Sequence, residues 1–194
     1  GGIEGHCHIE QKSSVGGVMS ADDFFTGTRS AVFGGTTTTL SFAQQIPGES
    51  LRKTVQDYHE CARPKAVIDY GFHLIISDPT EQVLGQDLPA LVADGMPSFK
   101  VYMTYDSLKL DDRQMLEVLS TARRCGAMMM IHAENHDMIK WLTDRLLSGG
   151  YVAPKFHAIS HADIAEGEAT HRAIRLSQLM DVPILLVHVS AEDA

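Results

Sequence analysis

The sequence has no long hydrophobic run and no cluster of basic residues. No stretch approaches the ~20 consecutive apolar residues of a transmembrane helix, so an integral membrane protein is not expected. Lys and Arg number 16 against 25 Asp and Glu, which gives a formal net charge of −9. Because nucleic-acid binding needs concentrated positive charge to neutralise phosphates, we expect no nucleic-acid partner either.

Cysteine is scarce, and its spacing argues against a disulfide framework. The three cysteines, Cys7, Cys61 and Cys125, are far apart and form no Cys-x-x-Cys pair. An odd number of separated cysteines is typical of free thiols in a reducing compartment. The chain opens without a basic and apolar leader, so we predict a cytoplasmic protein. It also lacks an initial Met, which leads us to expect a piece of a longer polypeptide.

Two nucleotide-binding motifs are missing as well. No G-x-G-x-x-G follows the first predicted strand and no G-x-x-x-x-G-K-[ST] occurs, so nucleotide-binding folds lose their main support. Apolar residues nevertheless make up 44% of the 194 residues, which is enough for the core of one domain.

What the chain does contain is a repeated unit of a short apolar run followed by an amphipathic stretch. The predicted strands are 36–43, 67–76, 98–103, 127–132 and 183–189, after a first strand at the start of the chain. Helices are predicted from Ser20 and Asp23 to Gly34, over 50–62 and 87–94, from Asp111 and Gln114 to Gly126, from His136 to Gly149, and over 164–180 with Asp163 and Glu166 as caps.

About six βα units at this spacing predict a parallel sheet with helical crossovers, an α/β fold. A doubly wound sheet and a (β/α)₈ barrel both produce this alternation, so the pattern leaves the two open. Since a barrel typically needs about 250 residues, six units would be a partial barrel.

Histidines stand where several predicted strands end. His6 and His8 form a His-x-His pair whose side chains point the same way on an extended strand. His132 ends the run 127–131, and His188 ends the run 184–187. A single histidine of this kind is more often a hydrogen-bonded core residue, but imidazoles that recur at the same rim favour a metal site, with zinc as the usual ion.

A lysine lies inside another apolar strand. Lys100 occurs in the run 98–105 with no carboxylate near it in the sequence. Burying an unpaired ammonium is costly, so the side chain must reach the rim, lose its proton or be modified. A neutral amine can take up CO₂ and become an anionic carbamate that bridges two cations.

Taken together and in order, these residues resemble the dihydropyrimidinase/D-hydantoinase group of cyclic amidohydrolases. The resemblance runs the length of the chain. The motifs that carry it are Gly1-Gly2-Ile3-Glu4-Gly5-His6-Cys7-His8, Ser98-Phe99-Lys100, Ile131-His132-Ala133-Glu134-Asn135, Lys155-Phe156-His157-Ala158-Ile159-Ser160, Glu166-Gly167-Glu168-Ala169 and Val187-His188-Val189-Ser190.

The resemblance implies a TIM (β/α)₈ barrel with a centre of two divalent metal ions, usually zinc. By that similarity His6 and His8 hold one ion, His132 and His188 hold the other, and Lys100 bridges them as a CO₂-derived carbamate. Tyr105 corresponds to the tyrosine that hydrogen-bonds the substrate carbonyl. A hydroxide that bridges the metals would open the cyclic amide of a dihydropyrimidine or a 5-substituted hydantoin to an N-carbamoyl amino acid.

The resemblance also indicates what the chain lacks. The group uses a general-base aspartate, which is also a metal ligand, after a later strand than this chain reaches, and Asp193 is too close to His188 to replace it. Residues 1–194 are therefore predicted to be an incomplete catalytic barrel domain without its last units and its small β-sandwich domain. This segment alone is expected to be inactive, and the whole protein to be a homotetramer.

Alternatives remain at this point. Dihydroorotase-like relatives carry an arginine two residues after the His-x-His pair, where this chain has Glu10, so a small cyclic amide or ureide without a carboxylate is the expected substrate. Allantoin stays open as a substrate. The rival classes are a non-catalytic scaffold similar to the collapsin response mediator proteins and a mononuclear deaminase-type amidohydrolase, which would not need Lys100.

Overall fold

The computed structural model describes residues 1–13 and 17–194, which form a single parallel sheet covered by helices. The strands are β1 Gly2–Cys7, β2 Thr36–Gln44, β3 Asp69–Ile75, β4 Ser98–Tyr102, β5 Met128–His132 and β6 Ile184–Leu186. The α-helices are α1 Phe24–Phe33, α2 Leu51–Ala62, α3 Leu88–Ala93, α4 Asp112–Cys125, α5 His136–Ser148, α6 His157–Ser160 and α7 Asp163–Met180. A π-helical turn at Val83–Asp87 precedes α3, and a 3₁₀ turn at Pro154–Phe156 precedes α6.

The strand order decides between the two architectures that the alternation left open. All six strands are parallel, and each one pairs with its neighbours in the sequence, in the order β1 to β6. In a doubly wound sheet the spatial order of the strands reverses at a switch point, whereas in a barrel each strand lies next to the one that precedes it in the sequence. The chain is therefore a partial barrel of six strands, as the family resemblance implied.

Alternation along the strands separates two apolar layers. Phe99 and Val101 of β4 belong to the large cluster between the sheet and the helices, together with Leu119 of α4. Tyr102 belongs instead to a small cluster on the inner, concave face of the sheet. The other buried members of this inner cluster are Phe42, Ile75, Leu108, Met130 and Val187.

The capping residues of α4 are confirmed. The Asp111 carboxylate accepts from the backbone N–H of Gln114 at 2.8 Å, and the Gln114 side chain accepts from the Asp111 N–H at 3.0 Å. Gly126 ends the helix in the left-handed conformation, at φ 66°. A residue with a Cβ is strained in this conformation, which explains why glycine stands there.

Other predicted boundaries were wrong. Asp23, not Ser20, caps α1, because the Ser20 hydroxyl accepts from the Gln11 N–H at 2.9 Å instead. Asp163 is the first residue of α7 and does not cap it. The strand predicted over 183–189 spans only Ile184–Leu186, and the chain takes a positive φ at His188.

Within the described residues, none of the helices combines the length and apolar character that crossing a membrane requires.

Candidate metal centre

The four rim histidines converge at the carboxyl end of the sheet. The ring centroids of His6 and His8 are 5.8 Å apart, and His6 lies 5.4 Å from His188. His132 of β5 lies 4.6 Å from His188. Residues from β1, β5 and the loop after β6 thus meet on the concave face, because parallel strands deliver their carboxyl ends to one rim. The convergence that the sequence predicted is present.

Lys100 lies at the centre of this group. Its side chain points to the concave face of β4, and the residue is only 1% exposed. Nζ donates to Nε2 of His6 at 3.0 Å and lies 4.7 Å from the centre of the Phe42 ring. Within residues 1–13 and 17–194, no Asp or Glu carboxylate forms an ion pair with it. Burial of this amine lowers its pKa to about 8.

The surroundings also keep imidazoles in their neutral form. Burial, and then the positive charge of Lys100 and the neighbouring His188, lower the pKa of His6 to about 4. Burial is likewise the main reason why the pKa values of His8 and His188 are lowered. Neutral imidazole is the form of histidine that binds metal ions, so this charge state favours ligation at neutral pH.

Two further side chains orient the imidazoles, and sequence reasoning had assigned them no role. Nδ1 of His8 donates to the side-chain oxygen of Gln11, whose amide donates in turn to Gln44 at 2.7 Å. Nε2 of His132 donates to the Glu134 carboxylate at 2.6 Å. Each ring therefore keeps its other nitrogen for a ligand, which is the usual arrangement around metal-binding histidines. The signal in the sequence was spacing, since Gln11 and Glu134 follow their histidines by three and two residues.

Tyr105 stands beside the same group. Its ring centroid lies 5.2 Å from that of His132, in a turn where the Tyr105 carbonyl accepts from the N–H groups of Leu108 and Lys109. Burial, helped by the negative charge of Glu134, raises the pKa of the phenol. Tyr105 therefore keeps its proton at neutral pH and can act as a hydrogen-bond donor.

Backbone strain accompanies the site. Four non-glycine residues of the described part of the chain have positive φ, and three of them follow strands that reach the site: Glu10 at 49°, Tyr105 at 72° and His188 at 37°. Such conformations persist only where the surrounding contacts hold them, and they are common at functional sites.

The donor chemistry fits two divalent cations, although the protein side chains do not form a complete cage. Across the described residues, no group of three or more His, Cys, Asp or Glu side chains is arranged to hold a metal ion. The histidines are instead grouped around an amine, Lys100, which becomes an anionic oxygen donor only after modification. The arrangement thus fits a centre in which a carbamate on Lys100 supplies the missing ligand.

A cavity of about 440 Å³ opens beside these residues and gives a small molecule access to them. Its lining includes His8, Lys100, Tyr102, Tyr105, His132 and His188. A pocket of this size, with a few convergent polar groups, suits a single small ring.

Three residues lie apart from the four histidines around Lys100. His73 is buried and accepts from Ser98 Oγ at 2.6 Å while donating to the Gly5 carbonyl at 3.0 Å, so it is an interior structural histidine. Asp193 packs against α7 at Gly167. The Glu10 carboxylate accepts from Lys65 and from the Phe24 N–H, so it is committed to a structural ion pair.

The consecutive parallel strands, with a polar cluster at their carboxyl ends, define part of a (β/α)₈ barrel. Comparison with known proteins names the group. D-hydantoinases of Geobacillus stearothermophilus and Streptomyces coelicolor are each 43% identical over the whole chain. The dihydropyrimidinase structure from Brevibacillus agri superposes on all of it with a TM-score of 0.95 and 43% identity. No protein-family model matches the chain.

Over its whole length the chain is similar to members of the dihydropyrimidinase/D-hydantoinase group. It spans 41% of the length of the two curated D-hydantoinases and 42% of the Brevibacillus structure. The aspartate, the last barrel units and the second domain that the resemblance implies would lie in the part of the relatives that this chain does not cover, so they stay predictions.

Proposed function

We propose that the protein to which this chain belongs hydrolyses the ring amide of dihydropyrimidines or 5-substituted hydantoins to N-carbamoyl amino acids. The observation that carries the proposal is Lys100, a buried amine that has no carboxylate partner among the described residues and lies at the point where four imidazoles meet. The names of the relatives, D-hydantoinase and dihydropyrimidinase, support the same reaction class.

Lys100 is suited to carbamate formation. At a pKa of about 8, about a tenth of the amine is unprotonated at pH 7, far more than for an ordinary lysine. The nitrogen lone pair attacks the carbon of CO₂, an N–C bond forms, and one proton leaves to the solvent. The neutral amine thereby becomes an anion with a single negative charge, and its two oxygens would be available to two cations.

The imidazoles would hold those cations in pairs, His6 with His8 and His132 with His188. When bound, two zinc ions would lower the pKa of a water molecule and polarise the amide carbonyl. Gln11 and Glu134 orient the rings of His8 and His132 for this task.

Tyr105 would stabilise the charge that develops on the substrate. Its phenol keeps its proton and lies at the wall of the cavity, where it can donate to the carbonyl oxygen as that oxygen becomes negative. Hydrolysis adds the hydroxyl of water to the ring carbonyl carbon and a proton to the ring nitrogen as the C–N bond breaks. That proton would come from the general acid that the resemblance assigns to an aspartate beyond this chain.

The substrate is inferred to lack a carboxylate. The position two residues after the His-x-His pair carries Glu10, whose carboxylate is already bound by Lys65 and the Phe24 N–H. No cation at this position would pair with the acid group of dihydroorotate. Allantoin, which also lacks a carboxylate, is the alternative substrate.

The test uses the complete protein that contains this chain, purified from zinc-supplemented cells. We expect about two metal ions per subunit. We also expect ring opening of hydantoin or dihydrouracil, which is measured by chromatography of the N-carbamoyl product. Absence of both metal and hydrolysis would favour the non-catalytic scaffold, and preferential hydrolysis of allantoin would change the substrate. Light scattering of the same sample checks the expected tetramer.

Substitution of the bridging lysine separates a two-metal centre from a mononuclear deaminase-type centre. Lys100→Ala should remove at least one metal ion and the activity, and short carboxylic acids should partly restore the activity. Lys140→Ala, an exposed lysine on α5, is the matched control and should keep both. Unchanged metal loading in Lys100→Ala would refute the carbamate bridge.

A further inference from the structure

The loop that follows β6 is tied to the start of α7 by one carboxylate. Oε1 of Glu166 accepts from the Ser190 N–H at 2.9 Å, and Oε2 accepts from the Ala191 N–H at 2.6 Å. Both oxygens of one side chain thus hold two successive backbone amides, just after His188. An ionised carboxylate forms stronger hydrogen bonds to N–H groups than a neutral acceptor does.

The backbone of His188 is strained, which is why a support for its loop matters. His188 lies two residues past the end of β6 at Leu186. His188 itself has a φ of 37°, which is unfavourable for a residue with a Cβ. Its carbonyl accepts a hydrogen bond from the Ser190 hydroxyl at 3.2 Å.

The same turn of α7 also holds the loop that follows β5. The carbonyl of Ala165 accepts from the Asn135 N–H at 2.9 Å, three residues after His132. Ala165 and Glu166 are consecutive, so one turn of helix contacts the loops behind both His132 and His188. Buried Ala169 and Ala173 pack this helix into the main core, which makes it a rigid support.

We infer that Glu166 is a positioning residue that fixes the His188 loop against α7 and so sets the spacing of the His132–His188 pair. The role rests on the proposed function, in which this pair holds one metal ion. Gly167, the next residue, allows the close approach, because a Cβ there would lie 2.2 Å from Oδ2 of Asp193 in the same loop. Glu166 does not touch the substrate and acts only through the backbone of residues 190 and 191.

The experiment compares Glu166→Ala and Glu166→Gln with the unmodified complete protein. Glu166→Gln retains one acceptor oxygen, so it should satisfy one amide and give an intermediate result. Asp163→Asn is the matched control, an exposed carboxylate one turn earlier on α7 with no hydrogen bond to the loop in the described part of the chain. Hydrogen exchange followed by mass spectrometry reports on a peptide that covers residues 188–193.

In Glu166→Ala we expect exchange of this peptide to be about tenfold faster, as loss of charge-assisted hydrogen bonds predicts. One of the two metal ions should be lost more rapidly to a chelator, and kcat should fall while KM changes little. The positioning role is supported if the exchange rate, the metal release and kcat are intermediate in Glu166→Gln and unchanged in Asp163→Asn.

Two outcomes would overturn the inference. Exchange at wild-type rates would mean that the carboxylate does not hold the loop. Faster exchange with unchanged metal release and unchanged kcat would mean that Glu166 has only a structural role. If Glu166→Ala does not fold, Glu166→Gln decides the question by the same measurements. Failure of the proposed function is separate, since it would show as no metal and no hydrolysis in the unmodified protein, while the exchange comparison still stands.

Discussion

Removing the charge of Glu134 should weaken metal binding without removing a metal ligand. The Glu134 carboxylate accepts from Nε2 of His132 at 2.6 Å, and its side chain is only 19% exposed. The bond fixes the tautomer of His132 and leaves Nδ1 available to a metal ion. The hydrogen bond also lowers the pKa of Glu134, although burial of the carboxylate opposes this, so the group is ionised at neutral pH.

The magnitude follows from the type of bond. A hydrogen bond to a charged group contributes about 1.5–3 kcal/mol, and loss of such a partner typically weakens metal binding 10- to 100-fold. Glu134→Gln keeps an acceptor oxygen within reach of Nε2, so we expect about tenfold weaker zinc affinity. Glu134→Ala removes the acceptor entirely and should approach a 100-fold loss.

Competition with a chromophoric zinc chelator measures this affinity directly in the complete protein. The control is Glu117→Gln, the same change at an exposed position of α4, and it should bind zinc as the unmodified protein does. If both Glu134 variants also kept wild-type affinity, His132 would not be oriented through Nε2, and its assignment as a ligand would lose its main support.

Three further predictions concern the scaffold. Asp87, 1% exposed, accepts from the Leu51 N–H at the start of α2, so Asp87→Ala should cost about 2–4 kcal/mol in urea denaturation; an unchanged midpoint would contradict this. Gly126→Ala should cost about 1–2 kcal/mol in a thermal melt because of its positive φ, whereas Gly85→Ala, with open space around it, should not. Burial raises the pKa of Glu168, but the ion pair with Arg172 outweighs burial and the pKa of the carboxyl is lowered. The ionised pair therefore stabilises the fold above the ordinary carboxyl pKa, and this stabilisation is lost as the pH falls through the lowered pKa. Acid unfolding, measured by circular dichroism, should depend less steeply on pH in Glu168→Gln than in the unmodified chain.

The short apolar runs between amphipathic stretches were sufficient to predict the six strands, though not all of their bounds, and the rim on which the histidines lie. Side chains two apart on a strand share a face, so the inward direction of Lys100 and Tyr102 follows from that of the strand. The capping box of Asp111 is equally local, because its partner lies three residues away. These features depend on a few neighbouring residues, and a single sequence contains that information.

The features that the sequence did not reveal depend on contacts between distant segments. Glu166 has the spacing of a capping residue after Asp163, yet its carboxylate holds backbone amides 24 and 25 residues later. Ser20 was expected to cap α1, but Gln11 binds its hydroxyl across the loop. In both cases a polar side chain had two possible partners, and only the assembled sheet brings the second one within reach.

Lys100 is the residue that a purely structural role explains least well. A position with 1% exposure on the concave face could hold an aliphatic side chain that packs against Phe42 without desolvating a charge. A scaffold that had lost its catalysis would gain stability from that replacement and lose nothing. The amine is instead retained among imidazoles whose spare nitrogens are oriented by Gln11 and Glu134. A buried amine is unfavourable for stability, and its position among imidazoles that can bind metal ions is expected where the chemistry of the amine is used. This favours the hydrolase over the scaffold.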